Sequence, residues 1–183
     1  MIIAKEKKSE NIIEYVLYMW QIEDLIRSFN FDFDKINSAI ISQFDVEPIA
    51  KKEIEVWYQG LIDLMKTEKI QEKGHLLFLT NTVNDLNDLH LYLLQKKNTE
   101  YLQYYSWAKT HIDELFKLSK KSSSNEIESS LNGLYGFLLL KLQKRKITEE
   151  TQKSIESISK MLAFLNRIYF KIEKGEMELT PNS

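Results

Sequence analysis

A chain of 183 residues, 43% apolar and 28% charged, is long enough to bury a core of its own and is neither disordered nor collagen-like. It has no cysteine, which excludes disulfides, a thiolate nucleophile and Cys-ligated zinc or iron–sulfur centres. A net charge of -2 argues against a general nucleic-acid binder, and five glycines with two prolines are few for a β-rich fold.

The apolar spacing is helical almost throughout. A first helix is expected from about Lys5 or Ser9 to Asn30. Asp32 and Asp34 stand where N-caps belong and open a short second helix to about Phe44. Pro48 suits the first turn of a third, which runs through Trp57 and Leu61 to about Glu72 and stops at Gly74. Gly60 interrupts it at about 1 kcal/mol relative to alanine, which suggests a close contact there. A fourth helix covers about His75 to Lys97. Asn98 and Thr99 are turn and cap residues before a fifth that runs to about Lys120. The run Ser122-Ser123-Ser124-Asn125 is a linker, and Ser123 with Glu126 has capping-box spacing. A sixth helix extends to about Lys146, and Thr148 caps a seventh that ends near Gly175.

No segment keeps a period of two, and no hairpin signal or fixed-length repeat occurs. The expected fold is an all-α single domain over residues 1–183, a bundle of about six or seven helices, frayed at 1–4 and 177–183. The N-terminus places charge after Ile2 and Ile3, the wrong order for a secretory signal. The longest oily stretch, Gly133 to Leu140, is far short of the ~20 residues that span a bilayer. A cytoplasmic protein is therefore expected. Lysine far outnumbers arginine, and with the many isoleucines and asparagines this fits an AT-rich bacterial genome.

The segment Tyr18-Met19-Trp20-Gln21-Ile22-Glu23-Asp24-Leu25-Ile26-Arg27 resembles an uncharacterised family of Bacteroidetes proteins of about this length, a domain of unknown function. The opening Ile3-Ala4-Lys5-Glu6 with Asn11-Ile12, and the middle segments Gly74-His75-Leu76 and Leu89-His90-Leu91, are similar to the same family. The resemblance implies an all-helical fold and a bacterial cytoplasmic protein. It implies no activity and supplies no catalytic residue.

On a helical wheel the first helix has a wet arc of Glu10, Glu14, Gln21, Asp24 and Ser28. Glu23 and Arg27 fall outside it, Glu23 between Met19 and Val16 and Arg27 beside Trp20. Four residues apart, they are expected to meet as an acid–base pair on the buried side. That pair fixes helix register, lies at a rim or subunit contact, or forms a ligand site with Arg27 as an anion fork. His90 falls in the apolar stripe of the fourth helix, which suits a core histidine satisfied by one partner. Trp20, Glu23, Arg27 and His90 are the candidate lining of a ligand pocket.

Other constellations have simpler readings. Glu72-Lys73-Gly74-His75 is the only Glu-x-x-His, whereas a four-helix di-iron site needs two. Asn81, Asn84, Asp85, Asn87 and Asp88 do not spell a calcium loop and read as a solvated face. Lys117, Lys120 and Lys121, and Lys141, Lys144, Arg145 and Lys146, complement the negative ends of their helices. Ser129, Gly133 and Gly136 lie opposite Leu131, Leu134, Leu138 and Leu142 and would let another backbone come close. No catalytic residue, metal site or cofactor is indicated. The leading expectation is a non-catalytic interaction or scaffold protein, as a homodimer or with another protein, and without membrane or nucleic acid. The alternatives are a small-ligand binder or enzyme at Glu23/Arg27, and a regulator whose basic helix ends touch nucleic acid.

Overall fold

The computed structural model describes residues 2–118 and 123–179. They are all-α, with eight helices: α1 (Ile2–Glu10), α2 (Ile12–Ser28), α3 (Phe33–Ala39), α4 (Pro48–Thr67), α5 (Leu77–Gln95), α6 (Thr99–Leu118), α7 (Glu126–Leu142) and α8 (Glu149–Glu173). A single 3₁₀ turn follows α3 at Ile41–Gln43. The expected end of the fifth helix at Lys120, together with Lys121, Ser122 and the tail 180–183, lies outside the described residues. The chain divides into two compact units, 1–82 and 83–183.

In the first unit the long N-terminal helix of the sequence reading is two helices. Asn11 leaves helical geometry (φ -151°, ψ 101°), and its side-chain oxygen accepts from the Ile13 and Glu14 amides, both at 3.1 Å. An asparagine that caps the segment after it outcompetes apolar periodicity, which continues unbroken across the joint. Asp32 caps α3 through the Lys35 amide. α4 ends at Thr67 rather than near Gly74, because Lys69 takes the left-handed conformation (φ 57°) and Ile70 closes onto the Met65 carbonyl. The core of this unit includes Ile12, Val16, Trp20, Ile26, Ile36, Tyr58, Ile62 and Met65, all buried.

Gly60 has no side-chain or backbone neighbour within 4 Å of where a Cβ would stand, so it marks no close contact. Its only effect is the backbone entropy of a helical glycine. Gly60→Ala is expected to stabilise the chain by about 0.5–1 kcal/mol, read as a higher urea midpoint.

In the second unit α6 packs most extensively on α8 and also on α7, and α7 meets α8. The α7 cap is displaced two residues from the Ser123–Glu126 spacing. Asn125 accepts from the Glu128 amide at 2.8 Å, while the Glu128 carboxylate reaches back to the Ser124 amide and hydroxyl. Thr148 caps α8 through the Thr151 amide, and α8 ends at a left-handed Gly175 (φ 70°). A Cβ on Gly133 would stand 2.5 Å from Leu115 Cδ1, so α7 crosses α6 tightly at Gly133, whereas a Cβ on Gly136 would meet nothing within 4 Å and that glycine marks no close approach. A leucine tip can rotate aside for one methyl group but not for a branched chain. Gly133→Ala should therefore be nearly neutral, and Gly133→Leu should lower stability by about 1–3 kcal/mol in chemical denaturation.

Candidate functional site

The polar centre of the first unit is built around Glu23, whose side chain is only 1% exposed on α2. One of its oxygens accepts from the imidazole Nδ1 of His75 at 2.6 Å. The other accepts from the backbone amide of Leu76 at 2.8 Å. Leu76 is the residue whose carbonyl begins the α5 ladder, accepting from Thr80. The next amide, Leu77, donates to Glu68 at 2.7 Å. Two carboxylates distant in sequence thus satisfy the first free amides of α5, at the helix end where negative charge is favoured.

His75 is held on a second side by Trp20. The two rings stack with centroids 4.3 Å apart and planes 17° from parallel. A carboxylate can only accept, so Glu23 fixes the proton on His75 Nδ1 and leaves Nε2 as the nitrogen open to other chemistry. The His75 side chain keeps 29% of its surface exposed.

The expected Glu23–Arg27 couple does not form. Arg27 pairs instead with Asp24 at 3.0 Å, on the arc read as wet. Its guanidinium also donates to the carbonyls of Ile70, at 3.2 Å from Nη2, and of Gly74. The reason is geometric. The segment after α4 returns against α2 and offers each buried charge a partner that intrahelical spacing cannot show. Gly74, at φ 94°, makes a turn that residues with side chains rarely adopt. Arg27 is therefore a clamp on the 70–74 loop, and its planar fork suits two carbonyls at once.

Trp20, Glu23 and Arg27 share this centre, and His75 is the member that the wheel missed. His90 belongs to the second unit, on α5. It is 1% exposed, with Nδ1 2.5 Å from the Tyr101 hydroxyl and Nε2 3.7 Å from Glu126. Glu126 also accepts from the Tyr105 hydroxyl at 2.9 Å and pairs with Lys109 at 3.3 Å. Burial pushes the His90 pKa down, overriding the opposing pull of Glu126, and Lys109 adds to the depression. The Tyr105 hydroxyl is pushed up to about 12, by burial first and then by its bond to Glu126. Lys109 is raised, chiefly by its bond to Asp113.

Chemically, the first centre is a carboxylate-oriented histidine and the second a closed hydrogen-bond network. Among the described residues no three His, Asp or Glu side chains gather as a metal site. No described helix is long and apolar enough to cross a membrane.

These features define an all-helical protein in which buried charges organise loops and helix starts. The chain belongs to the family described as Domain of unknown function (DUF4924), whose match spans residues 1–176. No curated protein matches the chain, and no solved structure does.

Proposed function

We propose that the chain is a non-catalytic helical interaction protein, acting in the cytoplasm, that pairs with a second copy of itself through α7. The observation that carries this reading is the exposure of that helix. Its run Gly133-Leu134-Tyr135-Gly136-Phe137-Leu138-Leu139-Leu140 is apolar on every side, yet none of these residues is fully buried. Leu142 is 63% exposed. A helix apolar all round belongs in an interior, and each Å² left wet forgoes roughly 25 cal/mol. Gly133 faces α6, so Leu134, Leu138 and Leu142 fall on the opposite side of the wheel.

The charges favour a second copy as the occupant. Glu126 and Glu128 stand at the start of α7, with Lys141, Lys144, Arg145 and Lys146 at and beyond its end. A two-fold axis that runs α7 antiparallel to its mate brings each acidic start beside a basic end and opposes the helix dipoles. One helix face is smaller than the ~800 Å² per partner of a standard interface, so the pairing is expected to be reversible. Sedimentation velocity over a concentration series tests it. The parent should shift from monomer to dimer, and Leu138→Glu with Leu142→Glu should remain monomeric with unchanged helicity. A parent that stays monomeric at its highest soluble concentration would overturn the reading.

The second reading, a small-ligand or catalytic site at Glu23/Arg27, is favoured by the partly exposed His75 with one nitrogen anchored. Against it, the Glu23 oxygens and the Arg27 fork are already engaged by groups of the chain itself. A thermal-shift screen of small anions and metabolites on the parent and on His75→Gln separates the two readings.

A further inference from the structure

We propose that His75 is a phosphoryl acceptor, taking the group on its Nε2 from an N-phosphoryl donor. Glu23 accepts from Nδ1 at 2.6 Å, so the proton of the neutral ring stays on that nitrogen and the lone pair stays on Nε2. The buried Trp20 stacks on the ring at 4.3 Å and fixes its plane. Nε2 makes no hydrogen bond with a described residue, and it is not among the buried unpartnered polar atoms, so it meets solvent. A nucleophilic atom whose far side is oriented by another group is the arrangement that covalent transfer needs. These residues belong to the first unit and owe nothing to the α7 pairing.

The other two histidines single this one out. His90 is buried and closed in by Tyr101 and Glu126. His111 is the close comparison, because its side chain is 30% exposed against 29% for His75. Its Nδ1 meets the neutral Ser154 hydroxyl at 3.0 Å. Its carboxylate neighbour, Glu114, stands at 3.8 Å, beyond a hydrogen bond, and is 63% exposed. Glu23 is buried, and a carboxylate out of water offsets charge on a ring far better than one in water. The two histidines thus have equal access and differ in what holds Nδ1.

In the transfer, the Nε2 lone pair attacks phosphorus, and the Nε2–P bond forms as the donor's N–P bond breaks. The donor nitrogen leaves with that electron pair, as ammonia when the donor is phosphoramidate. Nothing is oxidised or reduced, and one N–P bond replaces another. The ring keeps its Nδ1 proton and gains positive charge, which faces the Glu23 carboxylate. Phosphoryl transfer asks little more of a protein than a positioned nucleophile, since its transition state is loose. Acyl transfer asks for free donors at the developing oxyanion. The amides that follow His75, those of Leu76 and Leu77, are already taken by Glu23 and Glu68. The site therefore suits phosphoryl rather than acyl groups.

The test is a time course of the folded full chain with potassium phosphoramidate. It is read by peptide mass spectrometry under alkaline conditions, where phosphohistidine survives. His75 should be modified about tenfold faster than His111, the effect on a rate of one charge-assisted hydrogen bond. His90 should stay unmodified, and in urea the three histidines should react alike. Glu23→Gln should bring His75 down to the rate of His111 or below, because an amide that donates to Nδ1 moves the ring proton onto Nε2. Nitrogen NMR of the imidazoles reads that tautomer directly. If Glu23→Gln fails to fold, the ratio of His75 to His111 in the parent decides. Three results would each overturn the inference: equal rates at His75 and His111 in the parent, an unchanged His75 rate in folded Glu23→Gln, or ester hydrolysis that is lost in His75→Gln while no phosphoryl adduct forms.

Discussion

Replacing Glu23 by leucine is expected to lower the stability of the chain by about 3 kcal/mol, the largest loss from any single polar change in the first unit. Leucine packs acceptably beside Met19 and Val16, so the loss is polar in origin. The Leu76 amide, on a fully buried residue, is left without its acceptor. An unsatisfied buried donor costs about 1–3 kcal/mol. The start of α5 also loses a favourable negative charge, and His75 loses the bond that fixes its ring. Glu23→Gln distinguishes shape and hydrogen bonding from charge. Its amide oxygen still accepts from Leu76, and its NH₂ can donate to His75 in the other tautomer, so a loss of about 1 kcal/mol is expected. Arg27→Lys should fall between the two, because an ammonium cannot hold the Ile70 and Gly74 carbonyls with one rigid fork. Urea unfolding at neutral pH gives the order, and amide exchange at Leu76 to Thr80 locates it. If Glu23→Leu unfolds at the midpoint of the parent and Leu76 exchanges no faster, the carboxylate does not organise this helix start.

That ordering also shows what could be read from the chain before its structure. The helical class was legible because apolar residues recur every three to four positions in every long segment. Caps were legible where the side chain acts on its own neighbours, as at Asp32 and Thr148. The break at Asn11 was hidden because Ile12 and Ile13 continue the apolar stripe, so a local cap decided against a periodic pattern. Glu23 could be recognised as a charge on a buried face, but its partner could not. His75 is 52 residues away, and a wheel compares only residues of one helix. One signal was available. The segment Gly74-His75-Leu76-Leu77 opens a long helix with no Ser, Thr, Asp or Asn at its start, so its free amides require acceptors from elsewhere. A buried glutamate with an unassigned partner is the kind of group that meets such a need.

Lowering the pH from about 7.5 to 5.5 is expected to destabilise the second unit through His90, and the sign follows from its burial. An unfolded histidine takes up its proton near pH 6.5. In the folded chain His90 is depressed below that value, chiefly because burial disfavours the charged ring. Between the two values the unfolded state binds the proton and the folded state does not, so stability falls as pH falls. The loss begins as pH drops through about 6.5 and is complete below the folded value, while above about 7.5 this contribution is flat. The groups facing His90 are Tyr101, Tyr105, Glu126 and Lys109. Glu126 opposes the shift, so Glu126→Gln should steepen the pH dependence by removing the one anion that favours protonation. Tyr101→Phe acts differently. It leaves ring packing intact but removes the hydroxyl at 2.5 Å from Nδ1, stranding a buried nitrogen at a cost of about 1–3 kcal/mol at neutral pH. Denaturation of the parent, Tyr101→Phe and His90→Gln at pH 7.5 and 5.5 separates these effects. His90→Gln should lose the pH-dependent component across that window, whereas Tyr101→Phe should be weaker at both pH values. A parent whose stability is unchanged from pH 7.5 to 5.5, or a His90→Gln variant that keeps the full slope, would show that the pH dependence does not originate at this histidine.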